Sequence, residues 1–115
     1  MYNIKWSKEA EEFYTNLKQK AQKSYHNRQK KGVSKSSKNE GLLKQITKTV
    51  KLLEQNPRHS GLQTHPYTSL EHPYNPKDKV FEAYVQNKTP SAYRVFWCYG
   101  PGKGEITIIS ITSHP

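Results

Sequence analysis

The chain has 115 residues, and 19 Lys and Arg against 9 Asp and Glu give it a formal net charge of +10. This length fits one domain, spanning residues 1–115. No apolar run approaches the length of about 18 residues that a transmembrane helix needs, and the N-terminal segment lacks the apolar core of a signal peptide, so we expect a cytoplasmic protein. Cys98 stands alone, which excludes a disulfide framework. A small domain this basic is expected to bind a polyanion, nucleic acid first and an acidic protein second.

The first half of the chain predicts a short strand and two helices. Residues 2–6 alternate and precede Ser7, a residue that favours the N-cap of a helix. Apolar residues then recur at helical spacing, and Gly32 is a suitable helix end. Residues 32–39 (GVSKSSKN) have no periodicity and predict a Lys/Ser-rich loop. A second helix, closed by Asn56-Pro57, follows. Its predicted apolar face consists of Leu42, Leu43, Ile46, Val50 and Leu53.

After Pro57 the apolar spacing changes to alternation, which is typical of strands. Residues 61–70 predict a short edge strand interrupted by proline. Residues 80–85 and 92–99 predict two longer strands, and residues 105–111 predict the last one after a GPGKG turn. The order β-α-α-β-β-β-β predicts an α+β fold. In it, an antiparallel-rich twisted sheet is covered on one face by the N-terminal helical hairpin.

Arg94 lies among apolar residues in a strand that is expected to be central. Alternation places Arg94 with Phe96 and Cys98 on one face of this strand. The aromatic residues Tyr93, Trp97 and Tyr99 fall on the other face. Two interpretations are open. Arg94 either pairs with a carboxylate, for which Glu82 on the adjoining strand is the candidate, or presents its planar guanidinium to a phosphate.

The last predicted strand leads to His114. A histidine in that position has no necessary role, but the strand before it is expected to lie beside the strand of Arg94. Histidine exchanges a proton near neutral pH. An arginine and a histidine in one cleft supply the minimum for RNA cleavage by the 2′-hydroxyl, because one group moves a proton and the other stabilises charge on the phosphorus centre.

Three histidines, His59, His65 and His72, interleave with Tyr67 and Tyr74. No pair of these histidines has the i, i+4 spacing of a helical metal site and no cysteine accompanies them, so we expect neither a metal nor a cofactor. Their rings can stack on splayed RNA bases or accept a proton. The alternative is a polar edge strand without a binding role.

The segment from Lys18 to Lys51 contains eleven Lys and Arg but one acidic residue, Glu40. This bias is too one-sided for ordinary mixed surface charge, so a subset is expected to contact phosphates, with salt-dependent binding. The residues that we assign to RNA binding are Lys44, Lys48, Lys51, Arg58, Tyr67 and Lys79.

Several segments together resemble the RelE/ParE toxin superfamily of bacterial toxin–antitoxin systems. They are, in order, IKWSKEAEEF, LLKQITKTVKLLEQNP, KVFEAYV, AYRVFWCYG and the final ITSHP. The resemblance implies a metal-independent endonuclease that cleaves messenger RNA on the ribosome and is neutralised by a cognate antitoxin. In that family Arg94 matches the arginine that stabilises the transition state, and His114 matches the candidate general acid. His65 is our choice for the general base.

Two alternatives remain at this point. One is a ParE-like inhibitor that blocks a topoisomerase such as gyrase without cutting nucleic acid. The other is a basic nucleic-acid-binding module without activity. The ParE branch is not known for this set of site residues, so Arg94 together with His114 favours the nuclease branch. One observation weighs against the nuclease branch. Some family nucleases have a glutamate or paired lysines at the general-base position, and neither stands there in this sequence.

Overall fold

The computed structural model describes residues 1–87 and 91–113. Within these ranges five strands form one mixed sheet in the order β1-β5-β4-β3-β2, where β1 is parallel to β5 and all other neighbours are antiparallel. The predicted α+β class is confirmed. No helix in the described part is long and apolar enough to cross a bilayer. The elements are β1 (Asn3–Trp6), α1 (Lys8–Lys30), α2 (Lys38–Gln55), a 3-10 turn (Ser60–Leu62), β2 (His65–Tyr67), β3 (Val80–Tyr84), β4 (Tyr93–Tyr99) and β5 (Glu105–Ser113).

Ser7 joins the first strand to the first helix and also anchors both to the last strand. Its hydroxyl accepts the backbone N–H of Ala10 at 3.0 Å and donates to the carbonyl of Ile109 at 2.6 Å. Ile109 is the extra residue of a bulge, since the pairing of β5 with β4 passes from Ser110 to Ile108. The bulge therefore leaves the carbonyl of Ile109 free to accept the Ser7 hydroxyl. The sequence predicted the N-cap at Ser7 but not this second hydrogen bond.

The connection between the two helices is shorter than the predicted loop, because a capping box starts α2 at Lys38. The Ser37 hydroxyl accepts the N–H of Glu40, and the Glu40 carboxylate accepts the N–H of Ser37. The same carboxylate binds Nε of Arg28 at 2.9 Å, and Arg28 also donates to the carbonyls of Val33 and Ser34. These contacts close the tip of the hairpin.

We predict that the tip of the hairpin loses stability in acid. The N–H of Ser37, followed by the guanidinium and hydroxyl contacts, holds the pKa of Glu40 below its usual value of 4.5. The charged form is therefore favoured in the folded protein, so its stabilising contribution is complete above the usual carboxyl pKa and is lost as the pH falls through the lowered value. Glu40→Gln should be less stable than the wild type in urea at about pH 7, and the difference should shrink toward about pH 2.

Glu12→Gln, which removes the charge of an exposed glutamate on α1, is the matched control. A difference between Glu40→Gln and the wild type that stays constant from neutral to acidic pH would contradict this assignment.

The core lies between the helical hairpin and one face of the sheet. Leu17 of α1 and Ile46 and Leu53 of α2 are buried in one cluster with the sheet residues Val95 and Trp97. Side chains alternate along a strand, so the neighbouring positions point to the other side of the sheet. We call this other side the open face. It carries His65 and Tyr67 of β2, Glu82 and Tyr84 of β3, and Arg94, Phe96 and Cys98 of β4.

Residues 68–79 fold over one end of the open face and are fixed there by His72. Its Nε2 donates to the carbonyl of Tyr99 at 3.0 Å, and its Nδ1 accepts the N–H groups of Tyr74 and Asn75. These partners define a neutral imidazole that is protonated at Nε2. His72 therefore has a structural role, and the strand that we predicted over residues 61–70 is limited to residues 65–67, because the 3-10 turn and this loop take up the rest.

Candidate active site on the open sheet face

The register of three neighbouring strands brings the candidate residues together. His65 lies opposite Glu82, which lies opposite Phe96 on the next strand. One step along the same face, Tyr84 lies opposite Arg94. The open face thus presents an imidazole, a carboxylate, a phenol and a guanidinium within two rows of the sheet.

Arg94 is held in a fixed orientation and is 7% exposed. Its Nη1 donates to the carbonyls of Gln86 at 2.8 Å and Tyr93 at 3.1 Å. The guanidinium carbon lies 3.7 Å from the centre of the Tyr84 ring, a stacked cation–π contact. Nε is buried and has no hydrogen-bond partner among the residues that the structure describes. The interpretation in which Arg94 pairs with Glu82 is wrong, because backbone carbonyls and an aromatic ring hold the guanidinium.

Glu82 pairs instead with His65. Its Oε1 lies 2.6 Å from Nε2 of His65, and the carboxylate is buried whereas the His65 side chain is 44% exposed. Nδ1 of His65 lies 2.9 Å from the carbonyl of Gln63. Both ring nitrogens are therefore occupied, and the predicted role of His65 as a general base requires Nε2 to leave Glu82 first. That role stays a prediction.

Tyr67 and Lys79, two of the residues assigned to RNA binding, lie beside this site. The Tyr67 ring packs 4.6 Å from the ring of Phe96 on the open face. Tyr67 and the exposed Lys79 also line a cavity of about 540 Å³ beneath residues 68–79. A cavity of this size has room for one nucleotide, because small-molecule sites typically measure about 300–1,000 Å³.

The other assigned residues lie away from the open face. Lys44, Lys48 and Lys51 are exposed on α2, which packs against the opposite face of the sheet. The Arg58 guanidinium lies 5.8 Å from the centre of the ring of Phe81, a core residue on that same helical side. Any contact between these four residues and RNA would belong to a second surface.

His114 falls outside the residues that the structure describes. Ser113, the last described residue, pairs with Tyr93, which directly precedes Arg94. Among the described residues, no group of three or more His, Cys, Asp or Glu is arranged to hold a metal ion.

Cys98 shares the open face with Arg94, and we predict that its thiol is unreactive. Burial raises the pKa of the Cys98 thiol to about 11. The thiolate is the reactive form, so it is scarce at neutral pH. Labelling with a thiol reagent at about pH 8 should be at least roughly 100-fold slower in the folded protein than in urea. Equal rates in the two conditions would contradict the burial of Cys98.

Comparison with known proteins gives matches at the level of structure. No protein-family model matches the sequence, and no curated protein matches it. The YoeB/ParE toxin from Agrobacterium tumefaciens superimposes with a TM-score of 0.60 at 8% identity, over 98% of this chain and 99% of that one. The YoeB dimer from Staphylococcus aureus gives a TM-score of 0.60 at 16% identity, over 99% of this chain and 98% of that one.

The chain has the fold of these YoeB/ParE toxin structures. The same S. aureus toxin, in a YoeB–YefM complex, matches with a TM-score of 0.57 at 16% identity, over all of this chain and 99% of that one. The fold implied by the sequence resemblance is thereby confirmed.

Two residues of this RelE/ParE-type sheet, Glu82 and Tyr84, were not among the predicted site residues. Alternation in VFEAYV places both on the same face as Arg94 once the strands are paired. The sequence signal for Glu82 was its position between Phe81 and Ala83, because an acidic residue in an apolar strand needs a partner.

Proposed function

We propose that this chain is the toxin of a toxin–antitoxin system and that it cleaves messenger RNA on the ribosome. The observation that carries the proposal is the stacked, buried guanidinium of Arg94 near His65 on the open face of the sheet. His65 and Arg94 contact the same ring, that of Tyr84. The fold supports the toxin role. Because a fold by itself does not determine chemistry, the nuclease role rests on the site residues.

The proposed reaction is an in-line attack by the RNA 2′-hydroxyl on the adjacent phosphate. Arg94 stabilises the negative charge that develops on the phosphate oxygens, and its orientation is set before the RNA binds by the two carbonyls and by Tyr84. The proton transfers are assigned to His65 and His114. No metal or cofactor is part of the proposed reaction.

The proposed partners are the ribosome, its messenger RNA and an antitoxin, and the proposed location is the cytoplasm. The structure of a related toxin in complex with YefM supports the antitoxin. The net charge of +10 suits both an acidic protein and an RNA partner. The exposed lysines of α2 provide a surface for ribosomal RNA that is separate from the cleavage site.

Regulated expression combined with mapping of messenger-RNA ends tests this function. The wild type should arrest growth and produce new RNA ends within translated codons. The double variant Arg94→Ala, His114→Ala should do neither while it still unfolds cooperatively above the assay temperature. A fully toxic double variant would overturn the proposal. Growth arrest with intact messenger RNA and signs of DNA damage would indicate a topoisomerase inhibitor instead.

A further inference from the structure

Glu82 is a buried carboxylate on the open face. It lies in β3 between the buried apolar residues Phe81 and Ala83, and its own exposure is 2%. Oε1 contacts His65, whereas Oε2 is buried and has no hydrogen-bond partner within residues 1–87 and 91–113. Burial of a carboxylate with one unsatisfied oxygen destabilises a protein. A function for Glu82 would account for this cost.

The hydrogen bonds of His65 define how many protons the pair carries. The carbonyl of Gln63 can only accept, so Nδ1 of His65, 2.9 Å away, must carry a proton. Nε2 and Oε1 approach to 2.6 Å, and two acceptors cannot come so close without a proton between them. The ring is therefore protonated at Nδ1, and a second proton lies in the contact with Glu82.

Glu82 is the group beside His65 that favours a cationic ring. The rings of His65 and Tyr84 are nearly perpendicular at a centroid distance of 5.8 Å, and the Arg94 guanidinium stacks on the same phenol ring, so the Glu82 carboxylate has to outweigh a nearby positive charge. The negative charge beside His65 is that of the Glu82 carboxylate, which is hydrogen-bonded to Nε2. The exposed fraction of the His65 side chain, 44%, leaves the ring accessible to RNA from the open face.

We propose that Glu82 is a positioning residue that keeps His65 doubly protonated, so that His65 serves as a proton donor. This inference rests on the proposed RNA cleavage. It replaces the general-base role that the sequence suggested for His65, and it gives His65 the protonation of the leaving oxygen that the family resemblance implied for His114. Glu82 itself does not contact the RNA; it acts through the ring.

In the proposed step the 2′-oxygen forms a bond to phosphorus and the bond from phosphorus to the 5′-oxygen breaks. Nε2 of His65 separates from Glu82, as any proton transfer at this atom requires, and the leaving oxygen takes its proton. The proton of the 2′-hydroxyl passes to water. The products are a 2′,3′-cyclic phosphate and a 5′-hydroxyl. His65 is left as a neutral ring with its proton on Nδ1, and it regains the second proton from water beside the Glu82 carboxylate.

Nitrogen NMR of the histidine rings tests the proton count without reference to activity. Near neutral pH, His65 in the full-length wild type should show two protonated nitrogens. His72, whose Nδ1 accepts two backbone N–H groups, should show one and is the internal reference. In Glu82→Gln the new amide can donate to Nε2, so His65 should become neutral and protonated at Nδ1 alone. A wild-type His65 with an unprotonated nitrogen would overturn the proposal.

RNA cleavage on translating ribosomes tests the donor role. Glu82→Gln should lower the rate about 100-fold, at the lower end of general acid–base contributions. His65→Ala should lower it at least as much, and the double variant should lose no more than His65→Ala because the two residues act as a unit. Fully additive losses, or an active Glu82→Gln variant with a normal unfolding temperature, would overturn the role. Glu12→Gln is the matched control for removal of a charge.

The two proposals fail in different ways. A wild type that cuts no RNA refutes the proposed function and the donor role with it, whereas the NMR result still decides whether Glu82 holds a second proton on His65. A wild type that cuts RNA but carries a neutral His65 refutes only the inference about Glu82.

Discussion

Arg94→Ala is expected to abolish growth arrest and to lower RNA cleavage by roughly 1,000-fold or more, the effect of removing a cation that stabilises a phosphoryl-transfer transition state. Two backbone hydrogen bonds and ring stacking hold the guanidinium in place on the open face. Cleavage should be measured on programmed ribosomes, and growth after induced expression.

The variant must be shown to fold, because Arg94 also has structural contacts. Its loss leaves the carbonyls of Gln86 and Tyr93 without a donor and uncovers Tyr84, at a cost of about 1–3 kcal/mol. Thermal unfolding therefore accompanies each assay. Arg94→Lys keeps the charge but loses the planar fork and the stacked contact, so it should recover little activity. Lys103→Ala, which removes one exposed charge from the turn before β5, is the control. Unchanged cutting by Arg94→Ala would contradict the assignment.

The second large effect concerns stability. Trp97→Ala is expected to lower the free energy of unfolding by about 3–5 kcal/mol, as other large-to-small changes of buried aromatic residues do. Trp97 is fully buried, its ring stacks on Phe81 at a centroid distance of 4.8 Å, and Tyr99 meets it edge-on at 5.0 Å. Because domains are stable by about 5–15 kcal/mol, this loss brings the protein close to unfolding at room temperature.

Trp97→Phe separates packing from hydrogen bonding in the same position. The indole Nε1 is buried and has no hydrogen-bond partner in the described part of the chain. Phenylalanine removes this unsatisfied donor and keeps an aromatic ring against Phe81, so its cost should be clearly smaller than that of alanine. Urea unfolding of the three proteins gives the comparison. A loss below about 1 kcal/mol for Trp97→Ala would contradict the central place of this residue in the core.

Local patterns in the sequence predicted the elements of this fold well, because each depends on residues close together in the chain. The apolar periodicity of α1 and α2 and the alternation of β3, β4 and β5 led to the correct element order. The start of α2 was misjudged because Ser37 and Glu40 begin the helix before its first apolar residue. The length of β2 was overestimated, since a 3-10 turn and the loop fixed by the hydrogen bonds of His72 occupy the rest of residues 61–70.

Pairing between strands was the part that the sequence left open. Alternation assigns a face to Glu82 and to Arg94 but does not say which residue on the next strand each one meets. Glu82 was considered as the partner of Arg94, whereas the register places it against His65 on the other side. Likewise, Lys44 and Lys48 were grouped with Tyr67 by charge and composition, although the sheet separates them.

The position of β5 between β1 and β4 has a consequence for how the protein folds. Ser7 and Ile109, which are bonded to each other, stand 102 positions apart in the chain. The pairing of β1 with β5 therefore closes only when distant segments meet, which makes folding slow relative to that of a helical protein of the same size. The helical hairpin has local contacts and can form early. Arg94 lies on a strand that pairs with β5 across a short turn, so the strand pair that carries it can form before β1 joins the sheet.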